Sequence, residues 1–269
     1  MDINTLYVQT QGSFRNEAVL FLHGFPLSSE MWKDQMSVFS KTHYTLAPDL
    51  PGFGKGLLPI HAIMFEHYAD SMIKFLKQTG IKHSVWCGLS MGGYLALRMY
   101  EKAPELCSGL ILANTKAPTD DNAAKLKRWE TIKMLHSHRG EFEEAQWKAM
   151  VAPHNLENME LKKRFSEILA KNSEEGMSAG LATLASRMDL TEMLAKIHVP
   201  TLIIGGSEDK VIPVKELEFL HHNIPDSQLE IIQNVGHLSN MENPYEFNKL
   251  VSEFFTNLHT VKLQESLMD

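Results

Sequence analysis

The stretch Cys87-Gly88-Leu89-Ser90-Met91-Gly92-Gly93 decides how the chain is read. It contains G-x-S-x-G with a third glycine after it. The apolar run Ser84-Val85-Trp86-Cys87 before it has the pattern of a buried strand, and Tyr94 to Lys102 after it that of a helix. A serine on so sharp a strand-to-helix turn sits in strained backbone, its hydroxyl raised above the sheet edge. At Gly88 and Gly92 any Cβ would collide with the neighbouring strand and helix, so glycine is required there. The turn also aims helix N-terminal N–H groups at whatever the serine attacks, which makes the Met91 N–H an expected oxyanion donor.

Working outward, the flanking sequence alternates strands and helices. Leu6-Tyr7-Val8-Gln9 reads as an N-terminal antiparallel strand. Ala18 to Leu22 is a continuous apolar run, the mark of a strand buried on both faces, and it ends in His23-Gly24-Phe25-Pro26. A helix is expected from Glu30, capped by Ser28 or Ser29, with Trp32, Met36 and Phe39 on one face. Tyr44 to Ala47 is a strand and Pro48 to Gly54 a turn-rich loop. Phe65, Ala69, Met72, Ile73 and Leu76 keep helical spacing up to Gly80. Gly109 to Ala113, Pro200 to Gly205 and Gln228 to Ile232 are further strands, with helices at Val214–His222 and from Pro244 to about Leu258. Such alternation predicts an α/β fold with a mostly parallel, doubly wound sheet.

The alternation stops at Asn114 and resumes only after Leu190. Four helices are expected there, roughly 122–137, 141–150, 158–172 and 175–187. The expected organisation is therefore a core of residues 1–113 and 191–269 with a helical cap, or lid, of residues 114–190. The cap holds as many Lys and Arg as Asp and Glu, so it is no cationic clamp. If it covers Ser90, some of its large side chains line a largely apolar pocket. Trp129 and Trp147 are the candidate substrate contacts.

Bulk properties narrow the function. With 269 residues, 43% hydrophobic and 22% charged, the chain suits one large α/β domain carrying an insertion. A net charge of −7 disfavours nucleic acid and anionic membranes as partners. No apolar run approaches the ~20 residues of a membrane span. The N-terminus Met1-Asp2-Ile3-Asn4 shows neither the charged nor the apolar part of a secretory signal, so a cytoplasmic location is expected. The two cysteines, Cys87 and Cys107, lack metal-ligand spacing and read as inert core residues.

In parallel sheets of this kind, ligands bind beyond the carboxyl ends of the strands. Phe25, Ser90, Asp209 and His237 each follow a strand, so folding brings them to one edge. A serine hydroxyl is a weak nucleophile that needs a base, and histidine suits that task near neutral pH. The base in turn needs a carboxylate to fix its tautomer. The chain supplies Ser90, then Asp209, then His237, the α/β-hydrolase order. Glu208 competes with Asp209, but the shorter side chain holds a histidine with fewer rotors.

The chain resembles α/β-hydrolase-fold serine hydrolases with a helical cap. The resemblance rests on His23-Gly24-Phe25-Pro26, Asp49-Leu50-Pro51-Gly52-Phe53-Gly54, Gly88-Leu89-Ser90-Met91-Gly92-Gly93, Gly205-Gly206-Ser207-Glu208-Asp209 with Ile212-Pro213, and Gly236-His237-Leu238 with Glu242-Asn243-Pro244. It looks most like small carboxylesterases, a group that includes pimeloyl-carrier methyl ester esterases and enol-lactonases. The resemblance implies a second oxyanion donor at the Phe25 N–H and a small ester or lactone as substrate. It implies no metal and no organic cofactor, and a monomer or small homo-oligomer. It also leaves open a carbon–carbon bond hydrolase or perhydrolase with the same triad, or a ligand receptor of the same fold. The family loop is usually G-x-G-x-S, whereas Gly56 stands at the serine position here, which is expected to alter the loop's hydrogen bonding.

Overall fold

A computed structural model describes residues 6–58 and 64–266. Its centre is a seven-stranded sheet. The strands are β1 (Tyr7–Gln11), β2 (Ala18–Leu22), β3 (Tyr44–Asp49), β4 (Ser84–Leu89), β5 (Cys107–Ala113), β6 (Thr201–Gly206) and β7 (Ser227–Ile232). They lie in the order β1-β3-β2-β4-β5-β6-β7. Only β1 runs antiparallel, pairing Tyr7 with Asp49 and Gln11 with Thr45. The remaining pairs are parallel. Every residue of β2, β4 and β6 is buried, as expected of strands covered on both faces. The edge strand β7 alternates instead.

Helices flank the sheet. α1 (Lys33–Phe39) packs with α10 (Pro244–Ser266), and α2 (Phe65–Thr79) packs on α3 (Met91–Lys102). Aromatic rings tie the first pair to the sheet. Phe21 lies 5.2 Å from Trp32, Trp32 6.0 Å from Phe247, and Phe39 5.3 Å from Phe255, centroid to centroid. Each such ring, fully buried, contributes roughly 1.5–3 kcal/mol. α8 (Val214–Asn223) covers β6 and β7, and the short α9 (Ser239–Glu242) precedes α10.

The helix expected from Glu30 differs in detail. It opens as a 3-10 turn, Ser29–Trp32, before α1 begins, and neither Ser28 nor Ser29 caps it through a side chain. The Ser29 N–H instead donates to Asp49 Oδ1 at 2.8 Å, so a carboxylate from the end of β3 satisfies the helix end.

Between β5 and β6 lie α4 (Asn122–Ser137), α5 (Arg139–Met150), α6 (Met159–Leu169) and α7 (Glu174–Ala185), with a 3-10 turn at Thr191–Lys196 and no strand among the described residues. Polar ties hold this excursion to the rest of the chain. Asn172 Nδ2 donates to Pro26 O and the Gly54 N–H donates to Asn172 Oδ1, both at 2.6 Å. Arg164 pairs with Asp34 and reaches Met31 O at 3.3 Å. The His237 N–H donates to Met150 O at 2.7 Å.

Candidate active site

β4 ends at Leu89 and α3 begins at Met91, so Ser90 alone makes the turn. Its φ is 54° and its ψ is −112°, strained backbone for a residue with a Cβ, worth about 1–3 kcal/mol. Hydrogen bonds hold it there. The Ser90 N–H donates to Ala113 O at 2.9 Å, and Ser90 O accepts from Thr115 Oγ1 at 2.9 Å and from the N–H groups of Gly93 and Tyr94. Glycine is needed for the reason expected. A Cβ on Gly92 would stand 2.0 Å from Leu22 O, and one on Gly88 would stand 2.2 Å from Gly92 O.

Asp209 and His237 sit in the loops after β6 and β7. His237 Nδ1 lies 2.8 Å from Asp209 Oδ2, and both side chains are buried. The carboxylate is fully engaged. Oδ1 accepts the N–H groups of Val211 and Ile212 at 2.8 and 2.9 Å, and Oδ2 also accepts Asn114 Nδ2 at 2.9 Å. Burial works against its charge, yet His237 and these donors together outweigh burial and hold the carboxyl below its usual range. With Oδ2 ionised, Nδ1 carries the imidazole proton, which leaves the lone pair on Nε2. Nε2 is buried and has no hydrogen-bond partner among the described residues. Glu208 contributes only a backbone bond, its N–H to Val235 O.

The His23 loop brings Phe25 to the same edge. His23 is fully buried, and burial lowers its pKa against the pull of Asp49. Its Nε2 accepts the Leu50 N–H at 3.0 Å, and its Nδ1 lies 3.1 Å from Gly24 O, so the ring stays neutral and fixes the loop. The N–H groups of Phe25 and Met91 donate to nothing among the described residues. At Gly56 a Cβ would meet Leu50 O at 2.6 Å, and the residue bonds through its backbone to Gly52 and Phe53. A serine would not fit this tighter loop.

A cavity of about 270 Å³ opens over these groups, lined by Phe25, Ser90, Tyr94 and His237 below, and by side chains of α4, α5 and α7 above. Its lining is apolar for the most part, with polar side chains among the apolar ones. Leu181, Leu184, Met150 and Val211 share it with Lys127, Arg128, Thr131 and Gln146. Asp120 binds both Arg128 and Arg187, and the Arg187 guanidinium stacks 4.1 Å above the Tyr94 ring.

Neither tryptophan lines this cavity. On α4 the lining residues are Ala124, Lys127, Arg128 and Thr131, one i, i+3, i+4, i+7 face. Trp129 lies off that face and is 58% exposed. On α5 the cavity face is Gln146, Ala149 and Met150. Trp147 turns away, packs at a tilt with its ring centre 5.5 Å from that of Phe165, and donates from Nε1 to Leu156 O at 3.3 Å. It is a packing residue of the α5–α6 interface.

Two positioning residues escaped the sequence reading. Asn114, at φ 45°, holds Asp209 and Gly236 O through its amide and accepts Ser239 Oγ. Glu242 accepts the N–H groups of Gly236, Leu238 and Ala152 and the amide of Asn155, bracketing His237. Burial nevertheless raises its pKa. An Asn directly after a strand end was the available signal for the first, and the Glu242-Asn243-Pro244 motif marked the second without giving it a role. Cys87 and Cys107 are both free and buried, and burial pushes both thiols up, out of nucleophilic use.

A family model described as alpha/beta hydrolase fold matches residues 17–244, so this chain belongs to that family. It is similar to 3-oxoadipate enol-lactonase 2 of Acinetobacter baylyi, 29% identical over 90% of each chain. Among solved structures it resembles a thermophilic esterase from Thermogutta terrifontis with malate bound (29% identity, TM-score 0.89, 94% of each chain). An esterase from Exiguobacterium antarcticum is also similar, at 26% identity and a TM-score of 0.83, over 93% of this chain and 95% of that one. No helix among the described residues is long and apolar enough to cross a membrane.

Proposed function

We propose that this chain is a serine hydrolase that cleaves small carboxylic esters or lactones through an acyl-enzyme on Ser90. The observation that carries this reading is the buried, unpartnered Nε2 of His237, which lines the same cavity as Ser90 while Asp209 fixes its Nδ1. Ser90 Oγ attacks the carbonyl carbon as its proton passes to His237 Nε2. The N–H groups of Phe25 and Met91 receive the oxyanion as it forms. His237 then gives its proton to the departing alkoxide, and the acyl group stays on Ser90. Water repeats the sequence in reverse, and a lactone is released as a hydroxy acid. Asp209 holds the imidazole tautomer throughout and stabilises the imidazolium.

The enol-lactonase and esterase relatives support the reaction class. A cavity of about 270 Å³ favours small acyl and alcohol groups, since it falls just below the roughly 300–1,000 Å³ usual for ligand sites. In this reading residues 114–190 act as the lid of a core formed by residues 1–113 and 191–269.

The test is a panel of p-nitrophenyl esters of increasing acyl length, with lactones alongside and a fluorophosphonate as covalent probe. Short chains and lactones should turn over fastest, and the probe should label Ser90 alone. No turnover across the panel, or a label on another serine, would sink the proposal.

The pH dependence follows from Asp209. Its carboxyl is held below the usual range, so it stays ionised to lower pH than an ordinary aspartate, and its support of His237 should be lost only as the pH falls below that of an ordinary carboxyl. His237→Gln should abolish activity at every pH, because it removes the Nε2 lone pair that takes the serine proton. An active His237→Gln enzyme would assign the base elsewhere.

A further inference from the structure

The opposite end of the sheet holds a second constellation. Glu17 stands just before β2 and His43 just before β3, and their backbones are joined by the Tyr44 N–H donating to Glu17 O at 2.9 Å. His259 reaches them from α10. One potential ligand atom of each residue lies within 4.8 Å of the others. All three line a cavity of about 740 Å³. These residues sit at the amino ends of the parallel strands, and Ser90, Asp209 and His237 beyond the carboxyl ends. The two sites are thus separated by the length of a strand, roughly 17 Å for five residues.

The bonding around the site orients two of its members. His259 Nδ1 lies 2.7 Å from Phe255 O, a group that only accepts, so Nδ1 carries the proton and Nε2 the lone pair. That Nε2 lies 3.8 Å from Glu17 Oε2. Glu17 Oε1 accepts from Ser108 Oγ at 3.2 Å, which orients the carboxylate. His43 Nδ1 lies 2.9 Å from Thr42 Oγ1. A ring proton held by a backbone carbonyl, as at His259, is how metal-binding histidines are prepared.

We propose that Glu17, His43 and His259 form a binding site for a divalent transition metal ion, zinc first. Two imidazoles and a carboxylate suit Zn²⁺, Cu²⁺ or Ni²⁺ better than Mg²⁺ or Ca²⁺, which prefer all-oxygen sets. Ligand bonds of about 2.0–2.1 Å place tetrahedral partners about 3.3 Å apart. The ligand atoms, now within 4.8 Å of one another, close to that spacing by a pivot of the half-exposed His259 ring about its bond to Phe255 O. Water completes the fourth position. The ion would join the starts of β2 and β3 to the last turns of α10, and its role is to staple that helix to the sheet.

The experiment titrates the full chain with Zn²⁺ by calorimetry and with Co²⁺ by visible absorption, and follows Tm. One equivalent should bind, Co²⁺ should show the intense bands of a tetrahedral site, and Zn²⁺ should raise Tm. His259→Gln and Glu17→Gln should each weaken that equivalent by at least about tenfold and remove the rise in Tm. The exposed His259 side chain makes the first variant the safer for folding, and its metal-free Tm checks this. Ester turnover should not change on loading, because the site lies away from Ser90. Absence of binding, or binding and a Tm rise that persist in both variants, would overturn the proposal. The second outcome would assign the ion to other histidines, such as His221 and His222.

Discussion

Ser90→Ala is expected to lower kcat for activated esters by a factor on the order of 10⁶, the scale seen when the nucleophile of such a unit is removed. The variant keeps Asp209, His237 and the N–H groups of Phe25 and Met91. A residual rate on the order of 10³ over water should therefore survive from oxyanion binding alone. The fold should persist. The hydrogen bonds that hold the turn are all made by backbone groups of Ser90, and its side chain makes none among the described residues. Steady-state kinetics and a urea unfolding midpoint on the same preparation make the test. Activity within tenfold of wild type would remove Ser90 from the mechanism.

Asp209→Asn should cost about 10⁴ in kcat, and Glu208→Gln little. The reason is a count of lone pairs. In the aspartate, Oδ1 takes two backbone N–H groups and Oδ2 takes Asn114 Nδ2 and His237 Nδ1. An asparagine has one oxygen for these four donors. Whichever way its amide turns, an NH₂ faces donors. If it faces His237, the imidazole flips to the wrong tautomer and Nε2 can no longer accept the serine proton. If it faces Val211 and Ile212, their two N–H groups lose their acceptor, at about 1–3 kcal/mol for the buried one on Ile212. The variant should therefore lose stability as well as rate. Loss of activity on Glu208→Gln with Asp209→Asn intact would mean that the carboxylates were assigned the wrong way round.

The sheet was legible because its inner strands are short apolar runs that have no other place to go. The turn at Ser90 was legible because Gly88 and Gly92 leave room only for backbone. The pairing of Asp209 with His237 followed from their positions after strands, and the geometry places them in contact. The cavity-facing side of α4 and α5 was not legible. α4 carries Leu126 and Trp129 outward and Lys127, Arg128 and Thr131 inward, the reverse of a rule that buries apolar side chains. Trp147 obeys that rule, but buries itself against α6 rather than over Ser90. The cluster of Glu17, His43 and His259 had no spacing to betray it, since its members are brought together only by the sheet and the last helix.

The bond from the His237 N–H to Met150 O has a consequence for how this scaffold diversifies. Glu242 reinforces it by gripping Ala152 on one side and Gly236 and Leu238 on the other. The end of α5 and the His237 imidazole are therefore tied together. On the function proposed above, a change that displaces the α5 backbone at Met150 would shift the imidazole as well, so the shape of the cavity and the rate are coupled along α5. Thr131, Leu181 and Leu184 reach the cavity from α4 and α7, which make no such bond to His237 among the described residues. On that function, substitutions there would change the shape with less effect on the rate.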